Sequence, residues 1–305
     1  MITLVYYSAK SVILMVQFFP FTFVILWSSA FITGKVIVVD ASPFAALCFR
    51  FSIVCVCFFL YSLVTKQKII HSFSETSKAM ATGILFHGIY LGGCWFSFSQ
   101  GMPAGIVALI VTMQPILTSL LAGPLLGEVV TWRQWVGIFF GFSGTLLVLG
   151  IDALDTLPLI GLIASCTALV AITAGTLWQK KLSMDMPLAT NNMYQSFSAS
   201  IFLLVASLYL ENPFIHFTTN FILAMGWQII AVSFGAFTIL MFLIKIGSAS
   251  KTSTLFFLIP PVSAVMAWMF VDEVLTTFDV IGLAIATLGV YIATRKENEK
   301  LIDKV

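Results

Sequence analysis

The sequence predicts an all-α membrane protein with ten transmembrane helices in two inverted five-helix repeats and both termini cytoplasmic. Composition, an internal duplication and the placement of the basic residues lead there. Of 305 residues, 60% are apolar and 9% charged, and mean hydropathy is +1.05. Soluble domains carry about 25% charged residues, so this composition belongs in lipid. The apolar residues come in long runs rather than short alternating ones. Lipid offers no partner to an unpaired backbone group, so the runs are helices.

Cutting the runs at turn residues and charge clusters places helices 1 to 10 near 18–39, 43–64, 79–99, 103–125, 132–150, 157–179, 188–210, 221–244, 250–271 and 277–294. The longest interruption, Thr65 to Lys78, is too short for an extramembrane domain. Lys10 ahead of the first run gives the look of a signal peptide. No small-x-small cleavage site precedes the next polar segment, however, and the run is long enough to span.

A gapless shift of 145 residues carries Pro115 onto Pro260, Glu128 onto Glu273, Val129 onto Val274, Thr131 onto Thr276, Gly137 onto Gly282 and Gly144 onto Gly289. Identity is otherwise low, so most of these coincidences mark positions where backbone geometry restricts the choice. The chain divides into a first repeat at 18–150, a second at 157–295 and a basic tail at 296–305. With the N-terminus inside, the cytoplasmic segments hold Lys10; Lys66, Lys68 and Lys78; Arg133; Lys180 and Lys181; Lys245 and Lys251; and Arg295, Lys296, Lys300 and Lys304. Of all the basic residues only Lys35 and Arg50 then fall toward the outer face, which is the pattern of the positive-inside rule. Five helices per repeat is an odd number. Equivalent helices therefore run in opposite directions, the inverted-repeat design of many secondary transporters.

Ile25-Leu26-Trp27-Ser28-Ser29-Ala30-Phe31 in helix 1 is one family-like stretch, and Ser42-Pro43 followed by Phe49-Arg50-Phe51 in helix 2 is another. Together with Pro115, Gly127-Glu128, Gly137 and Gly144, they resemble an EamA-type domain of the drug/metabolite transporter superfamily. The resemblance covers essentially the whole chain and is weaker in the second repeat, where Tyr194 or Gln195 stands in place of a second Arg50. It implies ten helices in two EamA repeats, export or exchange of a small metabolite or drug-like solute, and a central cavity among helices 1, 3, 4, 6, 8 and 9. The shared motifs are scaffold, so they do not fix the substrate.

Several residues are candidates for that pathway. His87 lies midway along helix 3 and shares a face with Tyr90, Cys94 and Ser97, making one polar stripe that turns either to another helix or to a watery path. Gln114 beside the proline, Trp27 and Ser28 in helix 1, and Trp178 and Gln179 at the end of helix 6 are further candidates. Trp95 and Trp178 read more readily as interfacial anchors than as cavity walls. Pro115 and Pro260 each remove a backbone donor in mid-membrane, freeing the carbonyls of Val111 and Phe256 in a kink or hinge. Glu128 and Glu273 stand where helices 5 and 10 begin and are expected as structural caps. Arg50, about 10 Å below the outer end of helix 2, is expected as a charged anchor or gate that snorkels or pairs with Asp40. Lys35 is expected to snorkel.

No metal site and no cofactor is expected: the five cysteines lie in apolar runs, and Cys55 and Cys57 are two apart, on different helix faces. No nucleotide-binding G-x-x-x-x-G-K-[ST] motif occurs. The expected function is a secondary carrier working by alternating access, not an enzyme, in the inner or plasma membrane of a bacterial cell. A passive facilitator or channel is the alternative. An intramembrane enzyme is disfavoured by three scattered histidines. Expected partners are a small-molecule substrate and membrane lipid, not nucleic acid. The small-x-x-x-small faces Gly137–Gly141 and Gly282–Ala286 serve either to join helices 5 and 10 within the chain or to form a homodimer.

Overall fold

The computed structural model describes residues 2–102, 104–149, 158–182, 186–270 and 277–294, and nearly all of these are helical. The helices are α1 (Ile2–Asp40), α2 (Pro43–Val64), α3 (Phe73–Ser99), α4a (Ala104–Val111), α4b (Gln114–Leu126), α5 (Trp132–Leu149), α6 (Leu159–Leu182), α7 (Leu188–Leu210), α8 (Thr219–Ile246), α9 (249–270) and α10 (Thr277–Thr294). No strand forms among the described residues. Among the described residues six helices are long and apolar enough to cross a membrane, and they are the first three of each repeat: α1, α2, α3, α6, α7 and α8. Exposed apolar side chains such as Phe21, Phe139, Leu208 and Ile230 clothe the outside, a surface that lipid rather than water would cover.

Two helices start earlier than their hydropathy suggests. α3 begins at Phe73, not 79, because Ser72 and Glu75 form a capping box: the Ser72 hydroxyl accepts from the Glu75 amide, and the Glu75 carboxylate accepts from the Ser72 amide. α1 extends upstream to Ile2 and carries Pro20 inside it.

The helix over 103–125 is broken rather than kinked. α4a stops at Val111, a turn follows at Thr112 and Met113, and α4b restarts at Gln114 with Pro115 in its first turn. There a missing N–H costs nothing, since the first amides of a helix have no intrahelical acceptor. α9 repeats the plan with a different break. An α-turn (Ala249–Ser253) gives way to a 3-10 stretch (Thr254–Leu258), and Ile259–Phe270 resumes with Pro260 and Pro261 at its start.

The two halves meet along α5 and α10. A Cβ placed on Gly137 would stand 2.5 Å from the Gly289 carbonyl oxygen, and one on Gly144 would stand 2.5 Å from the Gly282 carbonyl oxygen. Contacts rise along one helix as they fall along the other, so α5 and α10 are antiparallel. Gly137 is the counterpart of Gly282 and Gly144 of Gly289, so the first contact becomes the second when the repeats are exchanged. This is a self-complementary two-fold contact inside one chain. The same exchange relates the other pairings: α1 packs on α8 and α9 as α6 packs on α3 and α4, and α2 packs on its counterpart α7. The small faces of helices 5 and 10 are thus joined within the chain.

Backbone contact this close leaves no space for a methyl group. Gly137→Ala and Gly144→Ala are each expected to destabilise the protein by about 1–3 kcal/mol, the range for overpacking. Gly226→Ala in α8, whose added Cβ meets nothing within 4 Å, is expected to leave stability unchanged or raise it by about 0.5–1 kcal/mol. Thermal unfolding of the three variants in detergent checks this.

Candidate functional site

Where α3 and α8 pass the middle of the fold, both abandon α-helical hydrogen bonding. α3 is a π-helix over Ile84–Leu91 and α8 over Gln228–Phe237. The shift of 145 residues carries 84–91 onto 229–236, so the distortion is duplicated although the side chains are not. A π-turn widens the helix and leaves local groups short of their usual partners, and such segments recur at functional sites.

Both π segments face one cavity, closed further by α1 and α2. His87 and Tyr90 enter it from the first π segment, with Cys94 and Trp95 from the following turn. Gln228, Ser233 and Phe237 enter from the second. α1 contributes Trp27, stacked on Tyr90 at 6.4 Å between ring centroids. α2 contributes Arg50.

Arg50 is 3% exposed, and its Nε donates to Ser233 Oγ at 3.0 Å. It does not snorkel, and its partner is not Asp40, whose carboxylate accepts from the Thr218 hydroxyl instead. Helix 2 is therefore a wall of this cavity rather than a peripheral element. His87 is 4% exposed and lies between the rings of Phe51 and Phe237, at 4.3 and 4.2 Å. Its Nδ1 has no hydrogen-bond partner among the described residues.

Other expected members lie elsewhere. Ser97 is buried between α3 and α6, with its hydroxyl 2.8 Å from the Gly161 carbonyl oxygen and accepting from Ser165. Gln114 Nε2 donates to Thr176 across α4b and α6, and Gln179 accepts from Gln195 across α6 and α7. Ser28 clamps α1 to α9: its hydroxyl donates to the Ile259 carbonyl, and its own carbonyl accepts from Ser263. Of the tryptophans, Trp178 is exposed, whereas Trp95 is 3% exposed and forms cavity wall rather than an interfacial anchor. Gln228 escaped the sequence reading. Its Nε2 donates to the Ala30 carbonyl and to Thr33, and its only signal was an amide inside a long apolar run.

Glu128 is a cap, but for a different helix. Gly127, at φ +68°, closes α4b by a paired hydrogen-bond reversal and turns the chain outward. The Glu128 carboxylate then accepts from the Ala249 and Ser250 amides, at the start of α9. α5 is served by its own Thr131 and Gln134 in a reciprocal cap. Glu211, which ends α7, likewise accepts from the Phe44 and Ala45 amides opening α2. Glu273 and the tail at 296–305 lie outside the described residues.

Comparison with known proteins agrees with this architecture. A family model described as the EamA-like transporter family matches residues 13–150 and again 159–295. The uncharacterized transporter YvbV of Bacillus subtilis is 27% identical over 232 residues, 72% of this chain and 71% of that protein. A chloroplastic WAT1-related protein of Arabidopsis thaliana is 24% identical over 300 residues, 92% of this chain and 68% of that one. A solved crystal structure superposes with a TM-score of 0.76 at 17% identity, covering 92% of this chain and 98% of that chain, a likeness of fold alone.

Loss of the cross-helix cap should register as stability. Glu128→Ala is expected to cost about 0.5–2 kcal/mol, the usual range for an N-cap, and Glu128→Gln less, since an amide oxygen still accepts. Thermal midpoints in detergent compare the two, and equal losses would count against the cap.

Proposed function

Since the chain belongs to the EamA-like transporter family, we propose that it is a secondary carrier that exports or exchanges a small organic solute by alternating access. In this reading the ten helices all cross the inner or plasma membrane of a bacterial cell, with both termini inside. The two five-helix repeats are then related by an axis in the membrane plane. The observation that carries it is the antiparallel contact of α5 with α10, in which Gly137 on Gly289 repeats as Gly144 on Gly282. Two halves built alike and related by a two-fold contact exchange conformations at little net cost, and that exchange turns an inward opening into an outward one. The breaks ahead of Pro115 and Pro260 give each half a place to bend. Trp27 and Ser28 tie α1 to the second break: Trp27 meets Phe256 edge-on at 5.6 Å, and Ser28 holds the Ile259 carbonyl.

The π-lined cavity is the substrate site in this reading, and His87 serves it. Proteoliposomes loaded with a metabolite mixture are expected to show saturable counterflow accelerated by substrate on the far side. Linear uptake without trans-stimulation would instead make the protein a passive facilitator. His87→Phe, which keeps the ring packing between Phe51 and Phe237, is expected to lower exchange at least ~10-fold, about 1.4 kcal/mol, with an unchanged thermal midpoint. Reporters fused to the two termini are both expected to read as cytoplasmic.

A further inference from the structure

Among the described residues Arg50 is a cation without an anion. It sits within α2 at 3% exposure, and among the described residues its hydrogen bond goes to a neutral hydroxyl, Ser233. The nearby Phe51 ring, 5.1 Å from the guanidinium carbon, adds only a weak cation–π attraction. The four acids whose side chains are described are engaged elsewhere: Asp40 with Thr218, Glu75 with Ser72, and Glu128 and Glu211 with helix-opening amides. Desolvating a charge costs several kcal/mol unless an opposite charge offsets it, and intramembrane arginines are normally paired or aimed at a watery path. Arg50 is aimed at the cavity.

We propose that this cavity binds the carboxylate of an amphipathic organic monoacid on the terminal nitrogens of Arg50, with its apolar body against Trp27, Tyr90 and Trp95. The inference rests on the carrier reading of the same site and adds the substrate class. With Nε held by Ser233, the guanidinium is fixed and its outer edge is the fork that matches a carboxylate. One cation balances one negative charge, which suits a carboxylate better than a doubly charged phosphate monoester. Much of the remaining wall is aromatic or aliphatic, with Trp27, Tyr90, Trp95, Leu91 and Val232 among its residues, which suits a hydrocarbon or ring. The counterpart of Arg50 in the second repeat is Gln195, whose Nε2 is shared between Gln179 and Asn191. The charge is therefore supplied once, as an unsymmetrical ligand requires.

The test uses the full-length purified chain in nanodiscs and three probes that differ only in head group: 3-phenylpropanoate, 3-phenylpropanamide and 3-phenylpropylamine. Trp27 and Trp95 line the cavity, so intrinsic fluorescence reads the titration. The carboxylate is expected to bind at least ~10-fold tighter than the amide, about 1.4 kcal/mol, and the amine not at all. Arg50→Gln should abolish that preference, and Arg50→Lys should retain part of it. Binding indifferent to head group, no binding of any probe, or a preference that survives Arg50→Gln overturns the proposal. If Arg50→Gln does not fold, Cys94 in the same wall becomes the reporter. In a chain whose other four cysteines are alanine, 3-phenylpropanoate should slow its alkylation by N-ethylmaleimide and the amide should not. Equal protection by both, or by neither, overturns the proposal. Counterflow separates the two readings: selective binding without exchange removes the carrier and keeps the site, whereas exchange without carboxylate preference does the reverse.

Discussion

Everything in this fold is arranged about one backbone contact, the crossing of α5 and α10. Gly137 and Gly144 lie so close to the Gly289 and Gly282 carbonyls that neither position has space for a side chain. Within a bilayer no hydrophobic force drives helices together, and van der Waals packing of small residues is the principal substitute. The contact is also its own image under exchange of the repeats. Its two-fold character therefore fixes the relation of the halves: α1 with α8 and α9 answers α6 with α3 and α4, and α2 lies on α7.

Within that symmetric frame, the departures from α-helix come in pairs. The π segments of α3 and α8 are equivalent, and so are the breaks ahead of Pro115 and Pro260. An irregular backbone is tolerated at membrane depth only where protein or a cavity receives its polar groups, and the π segments line the cavity. The duplication thus preserves backbone geometry. Chemistry is placed on one side only: Arg50 faces the cavity where Gln195 stands in the other half, and His87 and its counterpart Val232 both lie in the cavity wall, one polar and one apolar.

Much of this was legible along the chain. α2 and α7 begin and end where hydropathy and turn residues place them, because an apolar run bounded by polar or turn residues has few ways to meet a bilayer. Pro115, Glu128 and the glycines were recognisable as a repeated set because backbone constraint limits what can replace them. The site was less legible. Ser97 was assigned to the His87 stripe on α-helical spacing, but its hydroxyl is engaged by Gly161 and Ser165 of α6, partners that spacing along α3 does not reveal. Trp95 reads as an interfacial anchor until its surroundings are known, since an indole suits both settings.

The sequence by itself determined the helical membrane class, the duplication and the residues that the two copies share. These follow from composition and from periodicity along one dimension. Tertiary structure alone decided which helix Glu128 caps, where the amide of Gln228 is satisfied and that Arg50 turns inward to Ser233. Each of those depends on a partner more than a hundred residues away. Such a partner is chosen by how the two halves pack, which no local rule along the chain encodes.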